Sequence, residues 1–262
     1  MKKVALITGA TSGIGKAIAE NLSKNNFDLI ITGRRKERLT ELKNKIEQSS
    51  NSNILILNFD VRNKKEVIEN IKNIPAEWKN NLEILVNNAG LASGLEVINE
   101  GNYEDWEKMI DTNLKGLLYV TKEISPIFVT KQKGHIINIS SIAGKEVYPN
   151  GNVYCATKHA VDALSKAMRI DLLEHNIKVT QVAPGMVNTE FSTVRFHGDK
   201  EKADNVYAGL EPLYADDIAE IVLFAITRPA HVCLNDIVVT PTAQANSYKN
   251  VKYNGRVINS LN

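Results

Sequence analysis

Cysteine is nearly absent from this chain. Two occur in 262 residues, Cys155 and Cys233, too few for a disulfide framework and read as free thiols of a reducing compartment. Neither belongs to a CxxC pair or a Cys/His cluster, and the five histidines are scattered, so no metal site is expected. No apolar run approaches the roughly 20 residues that span a bilayer. The opening MKKVALITGA has a basic pair, but its apolar run is far shorter than that of a signal peptide and leads into a glycine turn, so it reads as a first strand. Charge of one sign is lacking as well: 32 Lys+Arg stand against 30 Asp+Glu, a net charge of +2. That balance argues against a nucleic-acid coat or a polybasic membrane-surface protein. Repeats, low-complexity tracts and Pro/Gly-rich linkers are missing, and a hydrophobic content of 43% excludes disorder. The expectation is a cytoplasmic protein with neither nucleic acid nor membrane as partner.

What is present is alternation. Short apolar runs at Val4–Ile7, Leu29–Ile31, Ile54–Leu57, Ile84–Val86, His135–Ile139, Val179–Val182 and Ile237–Val239 read as buried strands. Segments of helical period lie between them, near 14–24, 36–48, 64–73, 103–123, 154–175 and 216–227. Strands and helices alternating in this way imply right-handed crossovers and a parallel sheet covered on both faces. The chain is therefore expected to be α/β, a single Rossmann-type doubly wound domain of about seven strands over 1–245. Residues 188–213 carry no clear pattern and are read as a substrate loop or lid, and 246–262 as a C-terminal tail, an arm or simply mobile. In such a fold, ligands sit outside the carboxyl ends of the strands.

The first strand runs straight into Thr8-Gly9-Ala10-Thr11-Ser12-Gly13-Ile14-Gly15. Glycines at such a place permit a tight turn and close backbone approach to a pyrophosphate, and the helix that follows offers unpaired N–H groups and the positive end of its dipole. The spacing is GxxxGxG rather than GxGxxG, so the strand–turn–helix context carries the reading. The second strand ends in Thr32-Gly33-Arg34-Arg35, with no acid. A carboxylate there would accept the ribose hydroxyls of NAD and repel a 2′-phosphate, whereas a guanidinium matches that phosphate bidentately. Arg34 and Arg35 thus point to NADP; the other reading, two arginines opening a solvated helix, stays open at this point. Asp60-Val61 closes the third strand as a partner for the adenine, and Asn87-Asn88-Ala89-Gly90 after the fourth lets backbone pass close to a ribose.

At Tyr154 and Lys158 a phenol and an ammonium stand four residues apart, on one face of a helix. A free tyrosine, with a pKa of about 10, is a poor acid or base near neutrality, and a neighbouring cation brings the phenolate closer to the working range. Ser140-Ser141 closes the fifth strand, from which a hydroxyl can hold a carbonyl or alkoxide oxygen.

With TGATSGIG, DV, NNAG, SS, YCATK and PGMVNT in this order from Lys3 to about Thr242, the chain resembles the short-chain dehydrogenase/reductases. The resemblance implies a catalytic tetrad of Asn113, Ser141, Tyr154 and Lys158. Tyr154 would be the acid/base, Ser141 would orient the substrate oxygen, Lys158 would bind the nicotinamide ribose and tune the tyrosine, and Asn113 would hold a relay water. It also implies a nicotinamide loop at Pro184-Gly185-Met186-Val187-Asn188-Thr189. PAEW at 75–78, GNVY at 151–154, EFSTVRF at 190–196 and RPAHV at 228–232 are similar to the subgroup of NADP-dependent 3-hydroxy acid dehydrogenases. That likeness implies L-serine, L-allo-threonine or 3-hydroxyisobutyrate as substrates, the matching semialdehydes in reverse, and a homotetramer. Arg195 is the candidate for the substrate carboxylate, with Lys145 the other. Two alternatives stand beside this reading: a broad carbonyl, 3-oxoacyl or steroid-type reductase, and a non-catalytic NADP-binding regulator. Cys155 and His159 beside the tyrosine, like Trp78 and Trp106, are read as packing residues.

Overall fold

The structure, a computed structural model, describes residues 2–252. In chain order it contains β1 (Lys3–Ile7), α1 (Gly13–Lys24), β2 (Phe27–Gly33), α2 (Lys36–Ser49), β3 (Ile54–Asn58), α3 (Lys64–Lys72), α4 (Ala76–Asn81), β4 (Leu82–Asn87), α5 (Tyr103–Ile110), a π-helical turn (Asp111–Gly116) and α6 (Leu117–Lys131). There follow β5 (Gly134–Ile139), α7 (Asn152–Asp171), β6 (Ile177–Pro184), β7 (Val187–Asn188), α8 (Phe191–Arg195), α9 (Lys200–Asn205), β8 (Leu213–Tyr214), α10 (Ala215–Ile226) and β9 (Asp236–Val239). Seven strands form one parallel sheet in the order β3-β2-β1-β4-β5-β6-β9. Its strand order reverses between β1 and β4, which pair through Ile7 and Val86, so the crevice opens at the carboxyl ends of those two strands.

Burial on both faces explains the unbroken apolar runs that mark the strands. On one face, Ile18, Ala19 and Leu22 of α1, Leu39, Leu42 and Ile46 of α2, and Ile218, Ala219 and Val222 of α10 pack at helical spacing against the sheet. On the other, Val67 and Ile71 of α3, Val120, Ile124 and Phe128 of α6, and Val161 and Met168 of α7 form a second layer. A polar chain crosses the second layer: Asn87 Nδ2 donates to Thr121 Oγ1 (2.9 Å) and Asn138 Oδ1 (3.0 Å), and Asn138 Nδ2 donates to Ser165 Oγ (2.9 Å).

The seven expected strands all occur in the sheet, each with one or both ends extended by one or two residues. Three expectations need revision. The single helix expected over 103–123 is broken by the π turn and runs on to Lys131. The stretch 188–213 is not a plain loop: it carries α8, α9 and the small β7–β8 pair, elements too short to leave a readable period. The tail expected from 246 is tied down as far as it is described, because Ser247 N donates to Glu146 Oε2 (3.0 Å) and Val251 N to Ala243 O (2.9 Å); its remainder, 253–262, lies outside the described residues.

His135 is buried in β5, shares a hydrogen bond with Thr180 Oγ1 through Nε2 (2.7 Å), and leaves Nδ1 without a partner among the described residues. Burial, helped by the Lys178 charge, pushes its pKa down to about 3. The unfolded chain therefore takes up a proton at this histidine as pH falls below about 6.5 while the folded chain does not, and folding stability declines by up to about 1.4 kcal/mol per pH unit. Urea unfolding at pH 6.5 and pH 5 should show a larger loss for the wild type than for His135→Asn; equal losses contradict this role.

Candidate active site

A cleft of about 670 Å³ opens at the switch point. One wall is the turn after β1. Gly9 has φ +69°, and a Cβ on it would lie 2.9 Å from Ala89 Cα. A Cβ on Gly15 would lie too close to Gly9 O and the Asn88 amide to be tolerated, so α1 can approach β4 only with glycine there. Ser12 stands at the N-cap of α1 without a side-chain cap, whereas Asn63 and Asn102 cap α3 and α5. The first N–H groups of α1 therefore have no side-chain cap among the described residues, which leaves them available to an anion. Thr11, Ser12, Gly13 and Ile14 line this wall.

The end of β2 supplies the cations, and the two arginines are placed differently. Arg35 donates through Nη2 to Thr11 Oγ1 and Ser12 Oγ (both 2.8 Å) and through Nη1 to Glu190 Oε2 (3.2 Å). Arg34 lies 3.7 Å from Asp60 Oδ2, whose carboxylate also accepts from Arg62 Nη2 at 2.7 Å. Burial raises the Asp60 pKa, but the Arg62 hydrogen bonds and charge, with Arg34, outweigh it and hold the group below the usual carboxylate range. Arg34, Arg35, Asp60, Val61, Asn88 and Gly90 all line the cleft. Ala10, Gly15, Asn87 and Asn113 do not. Ala10 is core, Gly15 underlies the turn, and Asn87 belongs to the buried polar chain. The Asn88 amide donates to Thr8 O (2.9 Å) and Gly9 O (3.2 Å) and so fastens the turn to β4. This wall fits a dinucleotide: a cradle that side chains would fill, an uncapped helix start, and guanidinium groups at the far end.

At the other end, Tyr154 and Lys158 project from the first turns of α7, both buried. Lys158 Nζ donates to Ile139 O (3.0 Å) and lies 5.9 Å from the Tyr154 ring centre. Burial pushes Lys158 down to about 8. Tyr154 is pushed up, chiefly by burial and then by Tyr148, against the opposing Arg195 charge and a Ser141 hydrogen bond. The pair is thus driven toward its neutral forms, and desolvation rather than cation attraction governs the phenol, unlike the expectation from sequence. Ser141 lines the cleft and accepts from Ala143 N at 3.1 Å. The Asn113 side chain is committed elsewhere: Oδ1 accepts from Leu91 N and Nδ2 donates to Leu91 O (both 2.8 Å) and to Thr157 Oγ1 (3.1 Å). It joins the loop after β4 to α7 from within the π turn, a local widening of the helix often found at functional sites. A Cβ on Gly90 would lie 3.2 Å from Asn113 Oδ1 and 3.5 Å from Lys158 Nζ, so a larger residue there would crowd this corner.

The roof is the segment after β6. Pro184, Gly185, Val187 and Thr189 line the cleft, and Gln244 Oε1 accepts from Met186 N at 2.8 Å. Arg195, at the end of α8, is anchored by Gly94 N donating to its carbonyl (3.0 Å). Its guanidinium donates to Tyr148 Oη (2.7 Å) and lies 5.1 Å from the Tyr154 ring centre and 5.4 Å from that of Phe191. The buried Nε has no hydrogen-bond partner, and no carboxylate pairs with Arg195 among the described residues. Lys145 is different: it pairs with Asp162 and Asp236. Burial raises Asp162, but hydrogen bonds from Lys145, Lys166 and Gln181 bring it down to about 2. Lys145 is therefore a structural cation and no carboxylate receptor. Sequence reading missed Tyr148, Glu190, Arg38 and Gln244. For Arg38 a signal existed, since it stands three residues after Arg35, in the first turn of the helix that Arg35 precedes; the others come together only through the fold. Cys155 is buried in an apolar cluster with Leu91, Met109 and Ala143.

A family model described as short chain dehydrogenase matches residues 3–200. An NADP-dependent 3-hydroxy acid dehydrogenase of Salmonella typhi is 45% identical over 243 residues, covering 92% of this chain and 96% of that protein. A protein of the same description from Schizosaccharomyces pombe is 43% identical over 243 residues, with 92% and 93% covered. Among solved structures, the closed form of a serine dehydrogenase complexed with NADP+ superposes with a TM-score of 0.89 at 44% identity, covering 95% of this chain and 98% of the other.

Proposed function

Because the chain belongs to the short chain dehydrogenase family, we propose that it is an NADP-dependent oxidoreductase that oxidises the 3-hydroxyl of small 3-hydroxy acids such as L-serine, L-allo-threonine or 3-hydroxyisobutyrate, or reduces the matching semialdehydes. When bound, the nicotinamide ring supplies the hydride chemistry. Arg35 and Arg34 hold the 2′-phosphate end, the start of α1 and Thr189 hold the middle, and Lys158 holds the nicotinamide ribose. Tyr154 exchanges the proton at the substrate oxygen, Ser141 donates a hydrogen bond to that oxygen, and Asn113 positions the Tyr154–Lys158 corner through Leu91 and Thr157. Tyr154 and Lys158 are both buried, so hydrogen bonds at this corner act at reduced dielectric.

One observation carries the choice of substrate: Arg195, a cation without a carboxylate partner among the described residues, lies over the Tyr154 ring with a buried, unpaired Nε. A substrate carboxylate completes that group while its neighbouring carbinol oxygen reaches Tyr154. Arg195→Ala should raise KM for 3-hydroxy acids on the order of 100-fold, the scale of one or two hydrogen bonds to a charged group, and leave neutral alcohols of the same size within about threefold. An equal effect on both classes contradicts the assignment and favours a broader carbonyl reductase. The reading extends to a homotetramer in the cytoplasm. Ile170 and Leu173, 75% and 70% exposed beside the end of α7, are apolar side chains of the kind a subunit contact covers.

A further inference from the structure

Glu190 is an acid at the edge of a groove built for a polyanion. It stands immediately after Thr189, on the segment that roofs the cleft, and reaches across to the β2–α2 corner. There Arg38 Nη1 donates to both carboxylate oxygens of Glu190 (2.8 and 2.9 Å), and Arg35 Nη1 donates to one of them (3.2 Å). Arg35 is the N-cap of α2, in extended backbone, and Arg38 lies in the first turn of the helix. The guanidinium of Arg35 lies across the glycine turn, with Thr11 and Ser12 on its other nitrogen. The roof also rests on that turn: a Cβ on Gly13 would lie 3.3 Å from Thr189 Cβ. The two walls of the groove are thus joined at its rim by one carboxylate held between two arginines, all three side chains between 42% and 49% exposed.

A simple electrostatic view makes Glu190 a liability, since a negative side chain beside a phosphate site weakens binding. The arrangement of donors argues otherwise. Arg35 holds Thr11 and Ser12 through Nη2 and Glu190 through Nη1, and a 2′-phosphate requires only that Arg35 exchange its single bond to Glu190 for one to phosphate. Arg38 has no other side-chain partner among the described residues and keeps both of its bonds to Glu190. We propose that Arg38 and Glu190 form a clasp across the mouth of the cofactor groove, which Arg35 joins or leaves as it takes up the 2′-phosphate, and that this clasp sets how slowly NADP(H) departs. Arg38 and Glu190 act through the roof segment and are positioning residues. The inference rests on the proposed cofactor, and depends on no choice of substrate.

The pair is exposed enough that neutral replacements leave the fold intact, and exposed ion pairs open readily. The test is stopped-flow release of NADPH, followed by its fluorescence, from the wild type, Glu190→Gln, Arg38→Met and the double variant, in the absence of substrate. A clasp predicts that each single variant releases NADPH about fivefold faster, and that the double variant is no faster than either, because one interaction has been removed twice. It also predicts that added salt speeds release from the wild type more than from the variants. Slower release or tighter binding in Glu190→Gln makes the carboxylate a mere competitor of the phosphate and overturns the proposal. So do additive effects, which would mean that Arg38 and Glu190 act separately, and so do unchanged rates. A wild-type protein that binds NADPH no better than NADH removes the cofactor reading and the clasp with it, whereas NADPH preference with unaltered release in the variants removes the clasp alone.

Discussion

Tyr154→Phe is expected to lower turnover about a thousandfold, within the range general acid–base groups contribute, while NADPH affinity changes by less than about threefold. The substitution is clean because the ring does structural work that phenylalanine can repeat. Tyr154 is 8% exposed, packs edge-on to Phe191 at 5.7 Å and carries the Arg195 guanidinium over its face. Only the hydroxyl is lost, and it is the group proposed to exchange a proton with the substrate oxygen. The direction of the Tyr154 shift adds a pH signature. Burial keeps the phenol protonated well above neutrality, so carbonyl reduction, which needs the acid, should be flat between pH 6 and 8. Alcohol oxidation needs the phenolate, and its rate should rise with pH by up to tenfold per unit below that pKa. Steady-state rates in both directions, with cofactor binding measured separately, check this. Retained turnover in the variant, or parallel profiles in the two directions, would assign the proton to another group.

Arg35→Ala should weaken NADPH binding by roughly 10- to 100-fold, the scale of one or two hydrogen bonds to a charged group, and leave NADH within about threefold. Arg35 is held ready by Thr11 and Ser12, so little side-chain entropy is lost when a phosphate arrives. Arg34 is directed toward Asp60 instead, and Arg34→Ala should have the smaller effect. Fluorescence titrations with both dinucleotides separate the two arginines. Equal losses for NADPH and NADH would mean that Arg35 supports the turn rather than reading the phosphate.

The sheet was legible because burial on both faces leaves continuous apolar runs, and each of the seven strands carries one. Tyr154 and Lys158 were legible because the helical period alone puts i and i+4 on one face. The rest depended on tertiary contacts. Asn87 reads like a ribose contact in NNAG, yet its amide completes a buried polar chain with Thr121 and Asn138. The side chain of Asn113 turned out to brace Leu91 and Thr157, a role set by the π turn, which has no sequence period of its own. Arg195 was the first candidate in sequence and Lys145 the second; Asp162 and Asp236, from α7 and β9, pair with Lys145, and aromatic rings surround Arg195. Glu190 lies 152 residues from Arg38, a pairing no local pattern encodes.

The central proposal is that this cleft joins NADP to a carboxylate-bearing alcohol. The most direct measurement is the initial rate of cofactor reduction at about 340 nm with 3-hydroxyisobutyrate and with its methyl ester, each with NADP and with NAD. The account predicts that the acid with NADP has a kcat/KM at least about 50-fold above each other combination, since a site built for a charged group discriminates strongly against its neutral analogue. Turnover of the ester as efficient as that of the acid, or of NAD as efficient as NADP, would contradict it.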